Sequence, residues 1–256
     1  MKNDKTTTTT SSARTDDVRQ RDELGLIGHL AELRQRLLYS VVAVLVATMF
    51  TWSQTARVQG WFIVPIRDVM KKYKINSQLV TSNPTEGFTT YFQISLISAI
   101  MLAMPFILYQ LWRFIEPAMT HNERRMTRAI VPFSTILFAA GVALGYYLSP
   151  LFFDFFLQFQ PPGTSAFWSY ATSIALMAKM LLVFGICFQV PVVTIFLAKT
   201  GILTRNVMLE YWRHVVVVIF TVVAIITPTW DPVTLCAAAL PPCILYVTSL
   251  WLLKWL

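Results

Sequence analysis

The sequence predicts an all-α membrane protein with six transmembrane helices, and three observations carry that prediction. The chain of 256 residues is 55% hydrophobic, with a mean hydropathy of +0.57. Only 13% of its residues are charged, roughly half the share of a soluble domain. Apolar runs near or above the length that spans a bilayer recur along the chain. They are continuous rather than alternating, which argues for helices and against a β-barrel.

The chain starts with the polar, low-complexity stretch MKNDKTTTTTSSARTDDVRQRDE. It has no apolar core and no small-residue cleavage site, so it is not a secretory signal. Residues 1–23 read as a disordered cytoplasmic tail, and the acids Asp16, Asp17, Asp22 and Glu23 speak against organelle targeting. Residues 24–256 read as one six-span domain.

The first span runs from about Leu37 to Trp52 and is short, but a helical lead-in from Leu24 extends it. The second covers about Phe88 to Trp112 and the third about Ala129 to Phe153. The fourth, about Trp168 to Leu197, is roughly 45 Å long if fully helical. A hydrocarbon core of ~30 Å forces it to tilt, bend or protrude. The fifth, about His214 to Thr227, reaches only ~20 Å. The sixth, about Val233 to Leu253, is interrupted by Pro241-Pro242. A long span beside a short pair predicts an uneven bundle, concave on one side.

Charge sets the orientation. With the N-terminus inside, fifteen of the 21 Lys and Arg residues fall in cytoplasmic segments. Five fall outside, namely Arg57, Arg67, Lys71, Lys72 and Lys74, and Lys179 lies within the fourth span. This predicts cytoplasmic N- and C-termini. The net charge of +8 is therefore read as membrane orientation and not as nucleic-acid binding. In the first outer loop, Val58, Trp61, Phe62, Pro65, Ile66, Val69 and Tyr73 recur at helical spacing. They predict a short helix on the outer surface or capping the bundle.

Several chemistries have no motif here. There is no Gly-rich phosphate loop ending in Lys-Ser or Lys-Thr and no Gly-x-Ser-x-Gly elbow. His29, His121 and His214 sit at the predicted cytoplasmic border rather than mid-span, and Cys187, Cys236 and Cys243 fall inside apolar runs. No metal-ligand spacing is present. The chain reads as a binding or transport protein, with no enzymatic activity, cofactor or metal.

Acids at the predicted inner border stand out, because the anionic lipid surface repels them. His29, Glu32 and Arg36 share one face of the first helix, a different face from the stripe of Leu26, Leu30, Leu33 and Leu37. The spacing allows a simple Glu32–Arg36 surface pair. It equally allows a carboxylate held for an outside guanidinium, and Glu123 repeats the pattern beside Arg124 and Arg125. Two carboxylates at a low-dielectric border bind guanidinium groups well.

The segments HLAELRQRL, ILYQLWRFIEPAMTHNERR, FGICFQVPV, KTGILTR and ITPTWDP resemble, in order, the motifs of the TatC family, the receptor subunit of the twin-arginine protein translocase. The resemblance covers nearly the whole chain from Glu23 to Leu253. It implies a glove-like bundle of six spans with both termini inside, in the bacterial inner membrane. It further implies recognition of signal peptides with two arginines and assembly with the single-span TatA and TatB. Several copies are expected within the receptor complex, which exports folded proteins on the proton-motive force. By resemblance, Glu32 and Glu123 meet the arginine pair and Arg34 shapes that site. Phe114 and Pro117 belong to the recognition segment of the first cytoplasmic loop. Pro65 is a structural proline of the first outer loop, and Asp231 is the acid of the turn between spans five and six. Where the family often has a glutamate before Val-Pro, this chain has Gln189. Its amide can bond a partner helix or cap carbonyls freed by Pro191. Lys179 either faces protein or water, or snorkels to the outer surface. A secondary transporter with Lys179 and Gln189 as a midplane site is the alternative, and a structural scaffold is a third reading.

Overall fold

The structure, a computed structural model, describes residues 8–73, 79–81, 83–115, 124–158, 168–199, 205–226 and 232–252. The described residues form helices α1 (Thr8–Lys72), α2 (Glu86–Ile115), α3 (Arg124–Gln158), α4 (Tyr170–Cys187), α5 (Val190–Lys199), α6 (Arg205–Glu210), α7 (Trp212–Ile226) and α8 (Pro232–Leu252). Among them there is no strand, only an isolated parallel bridge between Val80 and Ser169. Four stretches are long and apolar enough to cross a membrane: Leu30–Lys72, Glu86–Ile115, Ile130–Gln158 and Tyr170–Ala198. Two shorter apolar helices, Trp212–Ile225 and Ala238–Trp251, complete the six.

The first helix differs from the sequence reading. Lead-in, span and outer helix form one rod. Its apolar part alone has 43 residues, about 65 Å at 1.5 Å per residue. The backbone of residues 8–23, read from composition as a disordered tail, is helical in this structure. No Gly or Pro lies between Thr8 and Glu23 to stop it. The outer stretch does not lie apart either. Phe62, Ile66, Val69 and Met70 bury themselves in a core with Ile94, Phe153, Ile174 and Met177. That core ties the far end of α1 to α2, α3 and α4.

Pro65 interrupts α1 without ending it. A proline has no N–H for the carbonyl four residues back, which here belongs to Trp61. The Tyr146 hydroxyl of α3 donates to that carbonyl at 3.3 Å, and the Trp61 and Tyr146 rings stack at 5.2 Å. The hydroxyl of Ser149 likewise donates at 2.7 Å to the Tyr146 carbonyl, which Pro150 deprives of its helical partner.

The fourth span meets its length problem by bending. α4 stops at Phe188, and the chain turns through Gln189 into α5. Pro191 cannot donate to Cys187, so the helix breaks there. α3 packs closely on α4 through Gly141 and Gly145, a small-xxx-small spacing of the kind that lets membrane helices approach. A β-carbon on Gly141 would lie 2.6 Å from the Phe184 carbonyl oxygen.

At the end of the bundle opposite Glu32, Glu86 joins two helix starts. Its carboxylate accepts from the Asn83 N–H at 3.2 Å, from the Ala171 N–H at 3.3 Å and from the Ser169 hydroxyl. Ser169 in turn caps α4 by accepting from the Thr172 N–H. Lys72 at the end of α1 pairs with Asp154 of α3 at the same end.

Candidate functional site

Glu32 stands on α1 where the helix enters the apolar stretch, half-buried. The Arg36 side chain turns back to it over one helical turn. Its Nε donates to Oε1 of Glu32 at 2.9 Å, and Nη2 donates to the same oxygen. The third guanidinium nitrogen, Nη1, reaches Oε1 of Gln110 on α2 at 3.5 Å. Gln110 is buried, and α1 packs more extensively on α2 than on any other helix. One guanidinium therefore bridges a carboxylate on α1 and an amide on α2.

The Glu32–Arg36 pair permitted by the spacing is thus formed, and the structure adds Gln110 to it. Nothing in the sequence marked Gln110 except a polar residue inside the apolar run ILYQLW. Phe114 lies one turn beyond Gln110, half-buried in the last turn of α2. Arg113 rests over the Tyr109 ring at 5.9 Å. Arg34 is exposed and makes no ion pair or hydrogen bond among the described residues. It stands about 200° around the helix from Glu32, so it points away from the carboxylate. Glu123, Pro117 and Asp231 lie outside the described residues.

Gln189 sits at the break between α4 and α5. Its Nε2 donates to the Ser134 carbonyl of α3 at 3.1 Å. It therefore pins the bend to a neighbouring helix and does not cap the carbonyl that Pro191 frees. Gln189 also lines a cavity of about 690 Å³ between α4, α5, α6, α7 and α8. Val190, Val193, Leu197, Val207 and Met208 make its walls apolar, and Tyr246 closes one side. Lys179 is exposed on α4, is not part of this cavity's lining, and borders a different one. Pro65 is buried in the α1 core.

The geometry thus comprises a carboxylate paired with the guanidinium of Arg36 at one end, and an apolar hollow in the bundle. The family model for the Sec-independent protein translocase protein (TatC) matches residues 28–241. The chain belongs to the TatC family. It is 34% identical to the TatC of Haemophilus influenzae over 226 residues, which is 88% of this chain and 87% of that one. It is 32% identical to the chloroplastic TATC of Arabidopsis thaliana over 233 residues, covering 91% of this chain and 67% of that one. A crystal structure of the twin-arginine translocase receptor TatC superposes with a TM-score of 0.78 at 32% identity, covering 88% of this chain and 98% of the other. A second crystal structure of that receptor gives 0.77 at 33% identity, covering 89% and 98%. This TatC-family chain is a multi-pass membrane protein and a core subunit of Sec-independent protein translocation. A small-solute carrier is not favoured by these relatives.

Proposed function

We propose that this TatC-family subunit captures signal peptides bearing two consecutive arginines at its Glu32 end. The observation that carries the reading is the half-buried Glu32 carboxylate with a guanidinium already seated on it. The site has the geometry that a peptide arginine needs, and charge-assisted pairing to a guanidinium fork is strong and directional. A peptide arginine shares Glu32 with Arg36 or displaces it, and a displaced Arg36 keeps Gln110 as a partner. Glu123 supplies the second carboxylate. Phe114 and Pro117 shape the recognition segment, and Arg34 holds α1 at the anionic lipid surface.

The apolar part of the peptide then lies in the hollow beside Gln189, whose lining suits a leucine-rich segment. The basic residues of the connecting loops support an orientation with both termini in the cytoplasm, in the bacterial inner membrane. TatA and TatB are the expected single-span partners, with several copies of this chain in the receptor complex. Asp231 serves the turn between the two short spans. The absence of a phosphate-loop motif from the sequence fits a proton-motive force as the energy source.

The test is crosslinking of a photoreactive twin-arginine peptide to the full chain in membranes, against a twin-lysine control. Glu32→Ala with Glu123→Ala is expected to reduce capture at least tenfold while the protein still inserts. Capture is also expected to weaken with added salt, because the contact is ionic and partly exposed. Wild-type crosslinking by the double variant would defeat the proposal.

A further inference from the structure

A second open cavity, of about 760 Å³, lies on the Glu86 side of the bundle. Gln93 of α2, Phe153 and Phe156 of α3, and Trp168 and Thr172 before and within α4 line it, and Lys179 forms its inner wall. Lys179 is exposed and has no ion pair among the described residues. It stands in the interior of an apolar crossing stretch, Tyr170–Ala198. A cation in such a place ordinarily faces protein or water and finds an anion.

Depth decides which anion. Trp168 and Tyr170 mark the membrane border at this end of the bundle. Lys179 is nine residues below Tyr170, about 14 Å along the helix. Its four-carbon stem narrows that gap without closing it, so a lipid phosphate would have to sink well into the hydrocarbon to reach it. A carboxylate on a membrane-spanning helix reaches that depth with no distortion. The described residues of a second copy of this chain do not supply one. Among the described residues, the acids of the apolar stretches lie within about a turn of their ends, at Glu32, Asp68, Glu86 and Asp154.

We propose that the Lys179 cavity docks a membrane-spanning helix of another protein through an acidic side chain about 14 Å inside the border. Lys179 is its counter-ion. The Gln93 amide offers a further donor, and the aromatic walls take the apolar residues beside the acid. This contact is separate from arginine recognition at Glu32, and neither depends on the other.

The probe is a synthetic leucine-alanine helix with one glutamate, and a twin with glutamine in its place. Association with the full chain in phosphatidylcholine vesicles is read by energy transfer. The glutamate helix is expected to bind about tenfold tighter than its twin when the acid sits nine or ten residues from its border. That preference should fall away when the acid moves by two turns. Lys179→Met should erase the preference and Lys179→Arg should keep it. Lys179→Asp should reverse it in favour of a helix carrying lysine at the same depth. Equal binding of the two helices to wild type would overturn the proposal, as would a preference that survives in Lys179→Met. Loss of the preference when phosphatidylglycerol is added would overturn it too, by making a lipid phosphate the occupant.

Discussion

The clearest energetic test concerns the proline inside α1. Pro65 leaves the Trp61 carbonyl without a helical donor, and Tyr146 supplies one from α3 at 3.3 Å. Tyr146→Phe removes that donor but keeps the ring, so the 5.2 Å stack on Trp61 survives. The distance is long for a hydroxyl donor, which places the loss at the low end of the usual range, about 0.5–1 kcal/mol. Scarcity of water near the bilayer pushes it toward the upper figure. Pro65→Ala restores the N–H of residue 65 and lets the helix satisfy Trp61 itself. In that background Tyr146→Phe should cost almost nothing. The coupling energy of the cycle is then about 0.5–1 kcal/mol, whatever Pro65→Ala does alone to the packing of a buried ring. Equilibrium unfolding of the four chains in detergent, followed by tryptophan fluorescence, measures it. Equal costs of Tyr146→Phe in the two backgrounds would refute the reasoning, because the hydroxyl would then not be serving the freed carbonyl.

Three further outcomes follow from contacts described above. Gly141→Ala places a β-carbon 2.6 Å from the Phe184 carbonyl oxygen and 2.8 Å from the Phe188 ring; α3 and α4 must part, at a cost of about 1–3 kcal/mol. Gly60→Ala, with nothing within 4 Å, should instead stabilise by up to about 1 kcal/mol, so thermal unfolding of the two variants should shift in opposite directions. Glu86→Ala removes acceptors for Asn83, Ser169 and Ala171 and should destabilise by about 2 kcal/mol, with faster amide exchange confined to the starts of α2 and α4; exchange spread evenly over the chain would count against the staple. Gln189→Leu should cost about 1 kcal/mol and loosen the bend against α3, seen as greater labelling of a cysteine placed at Ser134 than in a Gln189-containing control.

Much of this was legible in the residues. Continuous apolar runs located the membrane helices, and the excess length of the fourth called for a tilt, a bend or a protrusion, of which the structure shows a bend at Phe188 and Gln189. Spacing alone put Glu32 and Arg36 on one face. Gln110 escaped notice because its meaning depends on which helix packs against α1, and no period within α2 reveals a neighbour. The same holds for Tyr146, whose hydroxyl answers a proline 81 positions earlier in the chain. The long α1 rod was misjudged for a different reason. The apolar run stops at the stretch from Ser53 to Arg57, so span and outer helix read as separate pieces, and only the packing of Phe62, Ile66 and Val69 against the other helices shows them as one rod. Glu86 sits in a loop-like stretch, and only the meeting of two helix starts gives it a role.

The prolines show how this bundle solves a problem that water would otherwise solve. In a soluble helix, a carbonyl freed by proline turns to solvent; in lipid it needs a protein donor. Here Tyr146 answers for Pro65, and Ser149 answers for Pro150 on the carbonyl of that same Tyr146. The two repairs are consecutive links, running from α1 through one tyrosine into α3. The Tyr146 link ties α3 to the far half of α1, while Arg36 and Gln110 tie its near half to α2. The Glu32 carboxylate is thus carried on a helix tied to its neighbours at two levels. A floppy α1 would let the carboxylate withdraw into water, where a guanidinium contact is worth little. In the proposed arginine site the rod itself therefore has a part, although Pro65 and Tyr146 lie at the opposite end of the bundle.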